Sequence, residues 1–426
     1  MRIEELYQIF LKHPSVQTDT RKLKPGDVFF ALKGPNFNGN LFAGQALEAG
    51  AAYAVVDEAP VAGDDRIIRV NDALQTLQEL AKYHRQQFNI PFIAITGSNG
   101  KTTSKELVYA VLSTHFRTYT TQGNLNNHIG VPLTLLSVRQ NAEMAVIEMG
   151  ANHQKEIESY CRYTMPTHGI ITNAGKAHLE GFGGVEGVKK GKGELYDFLR
   201  ANNGTAFLYA DYDYLISMSA GIPHVIKYGT DEGIVQGKVS SGAPFLTVAI
   251  TKGFENISEI RTRLVGDYNL PNILCAAAVG KQFGVPEEKI RAALESYTPS
   301  NSRSQLVQKG SNHIILDAYN ANPTSMKAAI ENFAKMDAPQ KVLMLGGMME
   351  LGEGSVQEHE NIAALIRQYP WTKVVLVGGD FAKIDHGFIF FPSSAEAKQW
   401  FDAQGFENTH LLIKGSRSMQ MEKILG

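Results

Sequence analysis

The segment Ile95-Thr96-Gly97-Ser98-Asn99-Gly100-Lys101-Thr102-Thr103 constrains the fold of this chain more than any other. The apolar run at 92–95 reads as a buried strand. It meets a turn in which two glycines let the backbone curl, and a helical pattern starts at Lys101 or Thr102. Strand, glycine turn and helix in that order aim successive amides at one point, where the helix N-terminus adds partial positive charge. From such a loop the Lys101 ammonium reaches the β- and γ-phosphates of a nucleotide, and the Thr102 hydroxyl is a ligand for Mg²⁺. The strict pattern for this loop has Gly where this chain has Ile95, so the loop is a variant. Gly97, Ser98, Asn99, Gly100, Lys101, Thr102 and Thr103 are the expected phosphate-binding residues. The segments 145–148 and 169–172 repeat the apolar strand pattern, as expected of a parallel sheet covered on both faces.

The 426 residues suggest about three domains. Residues 1–88 read as a small α/β unit, with strands at 27–32, 51–56 and 67–70 and a helix at 75–88 that Asn89-Ile90-Pro91 closes. Residues 89–300 hold the phosphate loop and its sheet. They also hold an alternating stretch at 233–265, expected as antiparallel ribbon attached to that sheet, and helices at 272–283 and 287–296. The polar segment Thr298-Pro299-Ser300-Asn301-Ser302 marks a second boundary. From 301 to 426, strands at 313–316, 342–345, 374–377 and 411–413 alternate with helical stretches, the rhythm of a Rossmann-like domain.

Charge excludes some functions. Forty-one basic and 43 acidic residues leave a net charge of −2, which argues against clamping nucleic acid by bulk charge. Two cysteines, Cys161 and Cys275, make no disulfide framework, and the acidic start Met1-Arg2-Ile3-Glu4-Glu5 does not read as a signal peptide. No apolar run approaches the ~18 residues of a membrane span, so a cytoplasmic protein without membrane insertion is expected.

Glu148 ends the strand at 145–148, and His178 follows the strand at 169–172, so both belong at the sheet edge that carries the phosphate loop. A carboxylate there suits Mg²⁺. By composition, Lys189-Lys190-Gly191-Lys192-Gly193-Glu194 opens a helix as a solvated basic turn.

Four segments together resemble the Mur ligase family, the ATP-dependent amide ligases of peptidoglycan precursor synthesis. They are the phosphate loop, Glu148-Met149-Gly150-Ala151-Asn152-His153, Asn173-Ala174-Gly175-Lys176-Ala177-His178-Leu179-Glu180 and Tyr268-Asn269-Leu270-Pro271-Asn272. The segments 18–27, 123–127, 319–326, 347–353 and 414–419 point to the member that adds D-alanyl-D-alanine. The resemblance spans essentially the whole chain.

It implies a UDP-binding N-terminal domain, a central ATPase-like parallel-sheet domain and a closing Rossmann-like domain. It implies ATP, two Mg²⁺ sites served by Thr102, Glu148 and His178, and a CO₂-derived carbamate on Lys192. Asn269 and Asn272 would face adenine, although Asn272 suits a helix cap equally well. Arg303 would reach phosphate, and Asp317 the ribose. Thr20, Arg21 and Gly34 would hold the UDP-sugar and Tyr319, Asn320 and Asn322 the peptide end, with Asn126 and Asn127 also substrate-binding. The implied catalytic set is Lys101, Glu148, His178, Lys192 and Arg303. The implied substrates are UDP-N-acetylmuramoyl-tripeptide and D-alanyl-D-alanine, used by a monomer. The alternatives are a sibling ligase adding one amino acid and a folate-polyglutamylating ligase. His128 stands where the family pattern has Asp.

Overall fold

The computed structural model describes residues 1–58, 64–242, 244–300 and 302–426. Strands Val16–Gln17, Val28–Phe30, Tyr53–Val56 and Ile67–Arg69 form a parallel sheet in that order. Strand periodicity divides its side chains between two faces. Val28, Phe30 and Val55 join helices Ile3–Lys12 and Ala73–Arg85, whereas Phe29, Ala54 and Val56 pack with helix Ala43–Glu48. The helix expected at 75–88 starts earlier because the Asp72 side chain caps it by accepting from the Gln75 amide.

The central sheet is parallel throughout, in the order His224–Tyr228, Thr205–Tyr209, His168–Ile171, Phe92–Thr96, Met144–Glu148, Thr118–Thr120. Its first strand in sequence lies inside the sheet and the chain departs to both sides. The crevice at the carboxyl ends of Phe92–Thr96 and its neighbours is therefore a topological switch point.

Two local expectations change. The antiparallel ribbon (Gln236–Ser241, Thr247–Lys252, Glu259–Arg261) is a sheet of its own, linked to the parallel sheet among the described residues by the single bridge Gly229–Gln236. Its apolar face, with Val248 and Ile260, packs into the central core instead of extending the sheet edge. The basic segment 189–194 lies in the middle of the 17-residue helix Val185–Ala201. That helix begins behind Gly183 and Gly184, both at positive φ, and buries Val188, Leu195 and Leu199 along one stripe. Ala243 of the ribbon and Asn301 of the second boundary segment lie outside the described residues.

The C-terminal sheet runs Gln305–Lys309, Asn312–Asp317, His410–Lys414, Lys341–Gly346, Lys373–Val377, Ile389–Phe391, with only its first pair antiparallel. Alternating side chains again make two cores, Ile315, Leu343 and Leu412 on one face and Ile314, Val342 and Leu411 on the other. The three-domain α/β architecture is thus the expected one.

The two junctions differ in kind. The N-terminal and central domains share one hydrophobic core. The joint is fixed by the buried Arg85 guanidinium, which donates to Thr164 O (2.9 Å), Met165 O (3.0 Å) and Phe88 O (2.9 Å) and lies 3.8 Å over the Phe92 ring. The C-terminal domain borrows one buried apolar residue, Val265, from the central domain. It also meets that domain through the half-buried Leu179 and Phe245 and through polar pairs: Lys176 with Glu358 at 2.5 Å, Asn322 Nδ2 with Asn99 Oδ1 at 2.7 Å, and His178 with Glu350.

Candidate active site between the central and C-terminal domains

Only glycine fits the phosphate loop at two places. Gly97 has φ +144°, and a Cβ there would fall 2.0 Å from Thr172 Oγ1; Gly100 has φ +77°, and a Cβ there would meet Asn272 Oδ1 at 2.7 Å. The helix Lys101–Ser113 starts at Gly100 with no side-chain cap, so its first amides remain available to an anion. Two residues absent from the expected set clamp the loop. The Ser98 amide donates to Asn173 O and the Asn99 amide to Asn173 Oδ1, both at 2.9 Å, while Thr172 Oγ1 donates to Asn99 O at 2.6 Å. Thr172 and Asn173 follow the strand His168–Ile171, and that strand-end position was the signal that could have revealed them.

Lys101 Nζ folds back to Gly97 O (2.6 Å) and Ser98 O (3.1 Å). Burial lowers its ammonium to about 8; Arg303 acts in the same direction, and Glu148 opposes them.

Glu148 is 1% exposed. Its Oε1 accepts from Thr102 Oγ1 (3.0 Å) and Asn126 Nδ2 (2.7 Å), whereas Oε2 is buried without a hydrogen-bond partner. Such a half-satisfied carboxylate is costly unless another positive group meets it. Asn272 is not the helix cap. It lies inside Leu270–Gln282, accepts from Ser104 Oγ at 2.9 Å and donates to Asn269 Oδ1 at 2.8 Å, which braces the loop against the Asn269 segment.

The C-terminal domain supplies the facing wall. The Arg303 guanidinium lies 3.5 Å over the Tyr319 ring, a stack that fixes its plane. Both oxygens of Asp317 are engaged, Oδ1 by the Ser304 amide at 3.0 Å and Oδ2 by the buried Lys414 at 2.5 Å. Asn322 caps the helix Pro323–Lys335 through the Ser325 amide and also meets Asn99.

These walls enclose a cavity of about 750 Å³. Ser98, Asn99, Gly100, Lys101, Thr102 and Thr103 line it together with Asn126, Asn127, Glu148, His178, Asn269 and Asn272. Arg303, Asp317, Tyr319, Asn320 and Asn322 line its other side. Gly97, Lys192, Thr20, Arg21 and Gly34 are not among its lining residues. Thr20 and Arg21 form a short turn in the N-terminal domain, where Arg21 pairs with Asp19 at 2.7 Å. Gly34 sits in a two-residue strand against Phe37–Asn38. Lys192 is buried behind the cavity wall. Its Nζ donates to Ala151 O at 2.9 Å and lies 4.9 Å from the Phe182 ring centre. Burial, seconded by Lys101, holds this amine well below the usual lysine range. Lys189, by contrast, pairs with Glu186 on the outer face of the helix at 2.7 Å.

A phosphate loop at the switch point of a parallel sheet, faced across a deep cleft by the arginine of a second α/β domain, defines a nucleotide-dependent enzyme. Comparison with known proteins gives the family. Residues 14–85 match the Mur ligase family catalytic domain, 95–280 the Mur ligase middle domain, and 302–417 the Mur ligase glutamate ligase domain. The UDP-N-acetylmuramoyl-tripeptide–D-alanyl-D-alanine ligase of Escherichia coli is 36% identical over 430 residues, covering 96% of this chain and 92% of that protein. The crystal structure of MurF from Acinetobacter baumannii superposes with a TM-score of 0.89 at 30% identity, covering 99% of this chain and 97% of that one. MurF ligase from Thermotoga maritima in complex with ADP superposes at 0.85 with 26% identity, covering 97% of each chain. The chain belongs to the Mur ligase family.

Proposed function

We propose that this protein joins D-alanyl-D-alanine to UDP-N-acetylmuramoyl-tripeptide at the expense of ATP, in peptidoglycan precursor synthesis. Its relatives carry that activity in their names over nearly their full length. The observation that carries the reading is the cleft itself, which the Lys101 loop, Glu148 and Arg303 line together. Residues 1–88 hold the UDP-sugar through Thr20, Arg21 and Gly34, 89–300 hold ATP, and 301–426 close over both.

Condensing a carboxylate with an amine requires a leaving group on the carbonyl carbon. The tripeptide's terminal carboxylate attacks the γ-phosphorus of ATP, forming an acyl phosphate and releasing ADP. The dipeptide amine then attacks the carbonyl, phosphate departs and the amine gives up a proton. Lys101 and Arg303 offset the negative charge that spreads over the transferring phosphoryl group, from positions fixed by the loop and by the Tyr319 stack. Asn126 and Thr102 orient Glu148. Asn269 and Asn272 meet adenine, and Asp317, held by Lys414 and Ser304, meets the ribose. Asn127, Tyr319, Asn320 and Asn322 lie toward the peptide and dipeptide.

The donor set fits Mg²⁺. Glu148 has an unpartnered buried oxygen beside the Thr102 hydroxyl, and one carboxylate with a hydroxyl leaves the remaining positions to phosphate and water. Thr102 and Glu148 would hold one ion, and His178 with a carbamate on Lys192 a second, supplying charge neutralisation at the phosphates. The depressed amine of Lys192 is suited to carbamate formation, because CO₂ reacts with the neutral form. The C-terminal domain excludes water from the acyl phosphate.

Phosphate release from ATP in the presence of the UDP-muramoyl tripeptide tests the reading. Turnover is expected only when D-alanyl-D-alanine is added, and release independent of the dipeptide would overturn it. Small-angle scattering is expected to show compaction when ATP and tripeptide are both bound.

A further inference from the structure

His178 and Glu350 belong to different domains, and both adopt left-handed backbone conformations, φ 51° and 61°, which non-glycine residues take up only at a cost. The two strained residues meet, because the Glu350 carboxylate accepts from His178 Nδ1. The backbones meet as well, since the Glu180 amide donates to Glu350 O at 3.3 Å. The loop that carries Glu350 is gripped from behind. Its Met348 amide donates to Nε2 of the fully buried His359, the Gly347 amide donates to Val377 O at 2.9 Å, and Gly347 O accepts from the Ser416 amide. His359 is itself oriented by Ser355 O, 2.7 Å from its Nδ1. Glu350 is therefore a carboxylate presented on a rigid support, not a side chain at the end of a mobile loop.

A carboxylate that accepts a hydrogen bond from Nδ1–H fixes the imidazole tautomer and leaves Nε2 as the nitrogen with the free lone pair. His178 lines the cleft, and among the described residues nothing hydrogen-bonds its Nε2. We propose that Glu350 is a positioning residue, which reaches in from the C-terminal domain to hold His178 in the tautomer whose Nε2 serves the metal–phosphate site. This assignment rests on the ligase reading with His178 toward Mg²⁺. Its consequence is that the site on the central domain acquires a properly oriented histidine only when the C-terminal domain is seated. Docking and chemistry are thereby coupled through one hydrogen bond.

The full-length protein with ¹⁵N-labelled histidine gives a readout that needs neither metal nor turnover. The His178 ring, assigned by its loss in His178→Gln, is expected as the Nδ1–H tautomer in the unsubstituted protein and as a tautomer mixture in Glu350→Ala. In dipeptide-dependent phosphate release, Glu350→Ala is expected to raise the Mg²⁺ concentration for half-maximal rate roughly 10- to 100-fold, with KM for D-alanyl-D-alanine unchanged. Glu358→Gln breaks another cross-domain ion pair without touching His178 and is expected to leave tautomer and Mg²⁺ dependence as they were. An unchanged ring in Glu350→Ala, or an equal Mg²⁺ shift in Glu358→Gln, would overturn the proposal. Absence of dipeptide-dependent turnover in the unsubstituted protein would instead refute the ligase reading, and the ring tautomer would still report whether Glu350 directs His178.

Discussion

Arg85→Met removes the guanidinium that fastens the N-terminal domain to the central one while keeping a side chain of similar length over Phe92. Two of its three acceptors, Thr164 O and Met165 O, lie at the end of helix Glu156–Thr164, where carbonyls lack helical partners and the dipole is negative. Three charge-assisted hydrogen bonds contribute about 6 kcal/mol. Burial opposes them by lowering the guanidinium from 12.5 to about 10, which corresponds to about 3 kcal/mol. The net loss is about 3 kcal/mol, a large part of the 5–15 kcal/mol typical of a folded domain. Urea unfolding followed by circular dichroism measures it, and Arg85→Lys, which retains one donor group, is expected to recover about a third. The joint also sets the distance from the proposed UDP-sugar site to the phosphate loop. The rate with the tripeptide is therefore expected to fall, while KM for ATP holds. A loss of stability below about 1 kcal/mol with unchanged turnover would refute the view of Arg85 as a rivet between domains.

Gly97→Ala places a methyl group 2.0 Å from Thr172 Oγ1 at φ +144°; nucleotide binding by calorimetry is expected to be lost with far-UV dichroism preserved. Lys192→Ala is expected to abolish turnover, with partial recovery on adding a small carboxylic acid, and near-normal activity would retire the carbamate. His168 is packed against Phe207 and Phe283, and burial pushes its imidazolium down to about 4. Between its unfolded value of 6.5 and about 4 the unfolded chain binds the extra proton, so stability falls as pH drops through that window. His168→Phe is expected to flatten that fall by about 2 kcal/mol after allowance for partial exposure, read from urea midpoints at several pH values.

The phosphate loop was legible because steric demands put glycine at 97 and 100, and Glu148 and His178 were legible because parallel strands end on one edge. Lys192 was not. Helical periodicity treats lysine as solvated, but Gly187 and Gly191 let Phe182 lie so close that a Cβ at 191 would meet its ring at 2.4 Å, and the whole segment sinks. The ribbon's separate sheet was hidden for a related reason, since alternation reveals a strand but not the surface that covers it. The rivet Arg85 and the grip of His359 on the Glu350 loop depend on backbone groups, which single-sequence patterns do not record, whereas the clamp by Thr172 and Asn173 left only its strand-end position as a signal.

The shared core of the first two domains also dictates an order of assembly. Every buried residue of that core lies before position 295. A chain emerging from the ribosome therefore buries the sheet that carries its phosphate loop while the C-terminal module is still being synthesised. The last 125 or so residues then fold around two cores, one of which takes in Val265, and dock onto a finished surface by polar pairs and a few apolar contacts. Synthesis thus finishes the half that binds phosphate before the half that completes the cleft, and an unfinished chain holds no complete active site.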